Sequence, residues 1–129
     1  MNMDEKKRVL VIEDDLFLRD IYIEVLNNAG LFVDSAEDGE KGYEKIIEGK
    51  WDLVLLDIIM PHMSGVDVMK KLHERLEYDP KTYYKKLVFL TNLDSDKEIK
   101  EAMQYGDGYL IKSQLTPGDI LNEVIKYLS

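Results

Sequence analysis

The sequence contains no cysteine, which excludes disulfides and thiolate metal sites. Its two histidines, His62 and His73, are too few for a histidine-rich transition-metal centre. Positive charge is scarce: 17 Lys and Arg stand against 26 Asp and Glu, for a net charge of −9 and a pI near 4.7. That balance argues against direct partnership with nucleic acid or an anionic membrane, whose attraction is to Lys and Arg clusters. No apolar run approaches membrane-spanning length, and residues 1–8 hold no apolar signal region. Repeats, low-complexity tracts and interdomain linkers are missing as well. What remains is one domain of 129 residues, long enough to bury a core without staples, expected over 1–129 with no output domain and in the cytoplasm.

The run Leu53-Val54-Leu55-Leu56 has no polar alternation, so it reads as a strand buried on both faces, and it ends in Asp57. Val9-Leu10-Val11-Ile12 is a second such strand, ending in Glu13-Asp14-Asp15. Leu87-Val88-Phe89-Leu90 is another, ending in Thr91-Asn92. Between them the apolar spacing is helical. Leu18, Ile21, Tyr22, Val25, Leu26 and Ala29 form one stripe stopped by Gly30. After a short strand, Leu31-Phe32-Val33, Asp38 caps a helix carrying Tyr43, Ile46 and Ile47 and ending at Gly49. Val66, Met69, Leu72 and Leu76 mark a third helix. The stretch from Glu77 to Lys86 reads as a surface loop, because Pro80 forbids helix continuation. A fourth helix, capped at Asp94 or Ser95, carries Ile99, Ala102 and Met103. Tyr109-Leu110-Ile111 is a fifth strand ending at Lys112. Thr116-Pro117 opens a last helix with Leu121, Val124, Ile125 and Leu128 on one face.

Five βα units in alternation call for an α/β doubly wound fold, a flavodoxin-like five-stranded parallel sheet with helices on both faces. Its common strand order is 2-1-3-4-5, which makes the first and third strands neighbours at the switch point. Glu13, Asp14 and Asp57 would then converge in one crevice beside Thr91 and Lys112. Three close carboxylates either raise one pKa strongly or bind a hard cation. Mg²⁺ fits best, since it accepts few carboxylates and prefers phosphate oxygens as further ligands. With the Lys112 ammonium and the Thr91 hydroxyl, these are the parts for forming an aspartyl-phosphate.

Taken together, Val9-Leu10-Val11-Ile12-Glu13-Asp14-Asp15, Asp57-Ile58-Ile59-Met60-Pro61-His62-Met63-Ser64-Gly65, Leu90-Thr91-Asn92 and Tyr109-Leu110-Ile111-Lys112 resemble the receiver domains of two-component response regulators, over about Lys7 to Leu128. The resemblance implies Asp57 as phosphoacceptor, with Glu13, Asp14 and the Ile59 backbone carbonyl helping to hold Mg²⁺. It implies Thr91 and Lys112 as ligands of the phosphoryl oxygens, and Tyr109 as the aromatic that couples with Thr91 to report the phosphorylated state. It implies a sensor histidine kinase or histidine phosphotransfer protein as donor. The downstream protein would be met on the surface of the fourth helix, fifth strand and fifth helix, and no enzymatic activity is expected beyond self-phosphorylation and dephosphorylation.

The chain departs from the family pattern twice. Asn92 stands where Ala is usual, and Ser113 stands where a Pro with a cis bond is usual, so the Lys112-Ser113 peptide is either cis without proline or takes another path. Single residues also have plainer readings: Asp15 as a helix cap, Trp51 as packing at the start of its strand, His62 and His73 as surface residues. Tyr109 is equally a packing aromatic, and Tyr83-Tyr84 either a partner contact or loop aromatics half buried against their own domain. A Mg²⁺-dependent phosphohydrolase with an aspartyl nucleophile is the alternative, but it needs an acid where Ile59 stands. A flavin or nucleotide module would need a Gly-rich loop after the first strand, where Glu13-Asp14-Asp15 would repel phosphate.

Overall fold

A computed structural model of the chain describes residues 6–75, 77–92 and 96–129. The expected helix position Leu76 and the expected caps Asp94 and Ser95 lie outside the described residues. Five strands, β1 (Arg8–Ile12), β2 (Phe32–Ala36), β3 (Trp51–Asp57), β4 (Tyr84–Thr91) and β5 (Gly108–Ile111), form one parallel sheet in the order β2-β1-β3-β4-β5. The helices are α1 (Leu16–Asn28), α2 (Gly39–Glu48), α3 (Gly65–His73), a one-turn α4 (Pro80–Tyr83), α5 (Asp96–Met103) and α6 (Pro117–Leu128).

Successive side chains of a strand point to opposite faces, so the apolar runs divide between two cores. Val9, Val11, Leu53, Leu55, Val88 and Leu90 face α1 and α6, where Tyr22, Leu26, Ile120 and Val124 meet them. Leu10, Ile12, Val54, Leu56, Leu87 and Phe89 face the other way, onto Ile46, Met69, Leu72 and Ala102. Each fully buried Leu, Ile or Val contributes on the order of 2 kcal/mol relative to exposure, and both layers hold the strand ends in place.

Local signals set several boundaries. Asp15 caps α1 by accepting the Leu18 N–H at 3.0 Å, and Asp38 caps α2 by accepting from Lys41 at 2.8 Å. Gly49 leaves α2 at φ 86°, a conformation that glycine adopts without strain. Thr116 and Asp119 form a reciprocal capping box at the start of α6, as Ser64 and Asp67 do for α3.

Four expectations are corrected. The supposed loop of residues 77–86 contains α4 and the first three residues of β4: Pro80 occupies the first helical turn behind an Asp79 cap, where its missing N–H costs nothing. Tyr84 is buried opposite Trp51 in the strand register, and its hydroxyl lies 2.5 Å from that of Tyr78. The inward face of α6 centres on Ile120 and Val124 while Ile125 is exposed, because stripes one residue apart satisfy the same spacing. Met103 of α5 is likewise exposed, and Ala102 is the residue packed inward. Finally, β2 continues through Asp34 and Ser35 to Ala36; as an edge strand it tolerates polar residues.

Trp51 begins β3 and is buried, while His62 and His73 are on the surface, His73 in tilted and edge-on ring contact with Tyr78 and Tyr105. Among the described residues no peptide is cis. Lys112-Ser113-Gln114 instead form a 3-10 turn closed by the Leu115 N–H to the Lys112 carbonyl.

Candidate functional site

The reversal of connections between β1 and β3 leaves a crevice at their carboxyl ends, the place where open α/β sheets bind ligands. It measures about 250 Å³ and is lined by Glu13, Asp14, Asp15, Leu18, Asp57, Ile59, Asn92 and Lys112. Asp57 is the last residue of β3 and is 3% exposed. The residue that follows it is held at both its N–H and its carbonyl, the Ile58 N–H donating to the Leu90 carbonyl at 2.9 Å and the Gly65 N–H to the Ile58 carbonyl at 2.8 Å. The close return of the chain requires Gly65, since a Cβ there would stand 2.4 Å from the Asp57 carbonyl oxygen. Glu13 follows β1 directly. It is fully buried, with its N–H donating to the Ala36 carbonyl at 3.1 Å.

One carboxylate oxygen from each of Glu13, Asp14 and Asp57 lies within 4.8 Å of the other two. Glu13 and Asp57 are buried and Asp14 is exposed, so the cluster opens to solvent on one side. Lys112 enters from beyond β5 and its Nζ donates to Glu13 Oε1 at 3.0 Å, Glu13 Oε2 at 3.1 Å and Asp57 Oδ2 at 2.9 Å. The Ile59 N–H points at Asp57 Oδ1 at 3.3 Å.

Electrostatics follow from this crowding. Burial, then the hydrogen bond and negative charge of Asp57, push the Glu13 carboxyl up from 4.5 to about 8, and Lys112 only partly offsets them. Burial works against the Lys112 ammonium, yet Asp57 and Glu13 outweigh it and hold its pKa above the usual value. A cluster that keeps a proton at neutral pH is one that lacks cationic charge. Three convergent oxygens with an open side suit a small hard divalent ion that retains waters, and Mg²⁺ is that ion.

The residues expected at the site are thus brought together with two qualifications. Thr91 ends β4 and is buried, one step beyond the residue paired with Asp57. Tyr109 sits in β5 opposite Phe89, 41% exposed, and does not line the crevice. Asn92 does line it, and its neighbour Leu93 lies outside the described residues. Two participants were not read from the sequence: Gly65 as a close-approach residue, and Arg19, whose Nη1 donates to the Glu13 carbonyl at 2.8 Å. Gly65 had a visible signal in the turn after Pro61; Arg19 had none.

A parallel sheet with an acidic, lysine-bridged crevice at its switch point defines a protein that handles an anion with the help of a divalent cation. The chain belongs to the response regulator receiver domain family, whose model matches residues 9–125. It is 31% identical over 124 residues to the chemotaxis protein CheY of Thermotoga maritima, covering 93% of this chain and 98% of that one. It is 35% identical over 106 residues to the transcriptional regulatory protein DltR of Streptococcus agalactiae, where the match covers 81% of this chain but 45% of DltR. This chain thus spans under half the length of that relative. Among solved structures, the Thermotoga maritima response regulator TrrA, in complex with Mg²⁺ and BeF, superimposes with a TM-score of 0.72 at 32% identity, covering 95% of this chain and 99% of that one. The chain is therefore a two-component receiver, a switch that accepts a phosphoryl group. No helix among the described residues is long and apolar enough to cross a membrane.

Proposed function

We propose that Asp57 is the phosphoacceptor of this receiver, that Glu13, Asp14, Asp57 and the Ile59 backbone carbonyl hold Mg²⁺, and that Thr91 and Lys112 bind the phosphoryl oxygens. The observation that carries this reading is the buried Asp57 carboxylate at a strand end, within 4.8 Å of two further acids and 2.9 Å from the Lys112 ammonium. An Asp57 carboxylate oxygen attacks phosphorus: an O–P bond forms, the P–N bond of a phosphohistidine breaks with its electron pair staying on nitrogen, and the departing imidazole takes up a proton from solvent. Bound Mg²⁺ supplies neutralisation of the charge that gathers on the phosphoryl oxygens. Lys112 pairs with the transferred group by its ammonium, and Thr91 by its hydroxyl.

The donor in this reading is a sensor histidine kinase or histidine phosphotransfer protein. Thr91 moves toward the new phosphoryl group and Tyr109 fills the space it leaves, so that α5, β5 and α6 present the output surface to a protein target. The protein acts in the cytoplasm through protein contacts, without direct nucleic-acid binding. A phosphohydrolase role has less support, because Ile59 carries no acid where that chemistry needs one.

The test is intact mass after incubation with acetyl phosphate. Wild type is expected to gain one phosphoryl mass only when Mg²⁺ is present, and Asp57→Asn none. Equal labelling of Asp57→Asn would sink the assignment.

A further inference from the structure

The Arg19 side chain reaches back from the first turns of α1 to the turn that carries the acids. Its Nη1 donates to the Glu13 carbonyl oxygen at 2.8 Å, and the guanidinium is half-buried in a groove walled by Ser35, Ala36 and Glu37 at the end of β2. That carbonyl belongs to the peptide joining Glu13 to Asp14. A peptide is planar, so anchoring its oxygen sets the last backbone torsion of Glu13 and the first of Asp14 together. Those two torsions decide where both side chains point. On its other side Glu13 is anchored by its N–H to the Ala36 carbonyl at 3.1 Å, and beyond Asp14 the chain is tied by the Asp15 cap on Leu18 at 3.0 Å. With Arg19 in place the Glu13–Asp14 peptide is anchored between these two ties.

We infer that Arg19 is a positioning residue for the cation site: through the Glu13 carbonyl it holds the Glu13 and Asp14 carboxylates convergent on Asp57. This rests on the reading of those three acids as the Mg²⁺ site. Charge and geometry make opposite demands, which gives the inference its test. A guanidinium bonded to the turn that carries two of the acids opposes cation binding there, so deleting its charge alone would tighten Mg²⁺ binding. Deleting an anchor frees the peptide plane and weakens it. The sign of the change therefore reports which role Arg19 plays.

The experiment titrates Mg²⁺ alone into purified wild type, Arg19→Met and Arg19→Lys by calorimetry at fixed pH and ionic strength. Acetyl phosphate labelling is then measured against Mg²⁺ concentration. Arg19→Met is expected to bind Mg²⁺ about three- to tenfold more weakly, part of the worth of one charge-assisted hydrogen bond. Arg19→Lys, with one donor on a shorter stem, is expected to fall between, and it carries the test if the Met variant does not fold. Labelling rates should converge on wild type at saturating Mg²⁺, as loss of ion positioning predicts. An unchanged or tighter Mg²⁺ affinity in both variants would overturn the inference. So would a labelling rate depressed equally at all Mg²⁺ concentrations, since Arg19 would then support the fold at large. Absence of labelling in wild type would refute the Asp57 assignment instead, and the metal titration would still stand by itself.

Discussion

Raising the pH of the metal-free protein should destabilise it through Glu13. Below pH 4.5 both the folded and the unfolded chain carry the Glu13 proton; between 4.5 and about 8 only the folded chain does, because burial and Asp57 hold it there. Folding then takes up a proton, so this contribution to stability is fully present below the unfolded pKa and is lost as pH rises through the folded one. Each tenfold change in proton affinity is worth about 1.4 kcal/mol, so the loss between pH 5 and 8 is on the order of 3 kcal/mol. The assay is urea unfolding in chelator at pH 5, 6, 7 and 8, for wild type and Glu13→Gln. Their difference isolates Glu13 from the chain's other acids. Wild type should lose its advantage, or acquire a deficit, steadily over that range. Saturating Mg²⁺ should shrink the slope, since an ion that binds the carboxylate adds stability mainly where the proton has left. A difference between the two proteins that stays constant from pH 5 to 8 would refute the reasoning.

Three further outcomes are expected. Gly65→Ala should destabilise the fold by about 1–3 kcal/mol, the usual cost of overpacking, and weaken Mg²⁺ binding, because the added Cβ would press on the Asp57 carbonyl; an unchanged melting temperature would contradict the close approach. Trp51 fluorescence should barely respond to Mg²⁺, as six strand steps put it roughly 20 Å from Asp57, and a large saturable quench abolished by Asp14→Ala would be incompatible with that geometry. Ile59 lines the crevice, and replacing it together with the apolar residue two places after Thr91, as Ile59→Asn with Leu93→Glu, should speed loss of the phosphoryl mass after donor removal about tenfold or more, roughly 1.4 kcal/mol of barrier; unchanged or slower decay would refute a role for these apolar side chains in slowing hydrolysis.

What could be read directly from the chain is what depends on local pattern. The uninterrupted run Leu53 to Leu56 can only be buried on both faces, and that single fact puts Asp57 at the mouth of a covered sheet. Asp15 and Asp38 had the right chemistry at the right distance before helical stripes, and both are caps. The misreadings arose where packing decides between equal local options. Ile120 and Ile125 each belong to a valid stripe, and only the position of α6 against β1, β3, β4 and β5 selects the first. Tyr84, Lys85 and Lys86 look like loop, but Tyr84 joins the strand because Trp51 lies opposite it. Arg19 is one more charged residue of a surface helix until the fold brings the Glu13 carbonyl to its guanidinium.

The site can be understood as a shortage of positive charge that three different cations can relieve. Glu13, Asp14 and Asp57, with Lys112 among them, leave two net negative charges when every acid is ionised. An anionic phosphoryl donor is repelled by that balance. A proton on Glu13 removes one charge, but on the proposed reading it would also remove a ligand, so the rise toward 8 would work against metal binding. Moving Lys112 closer removes nothing further, as its Nζ already touches both buried acids. On the proposed reading, a divalent ion held by the three acids would bring the cluster to neutrality without costing a ligand, and Lys112 would be available to pair with an incoming anion. The dependence of phosphoryl acceptance on Mg²⁺ is then a consequence of the charge count itself, and it should steepen as pH falls and the proton on Glu13 competes with the metal.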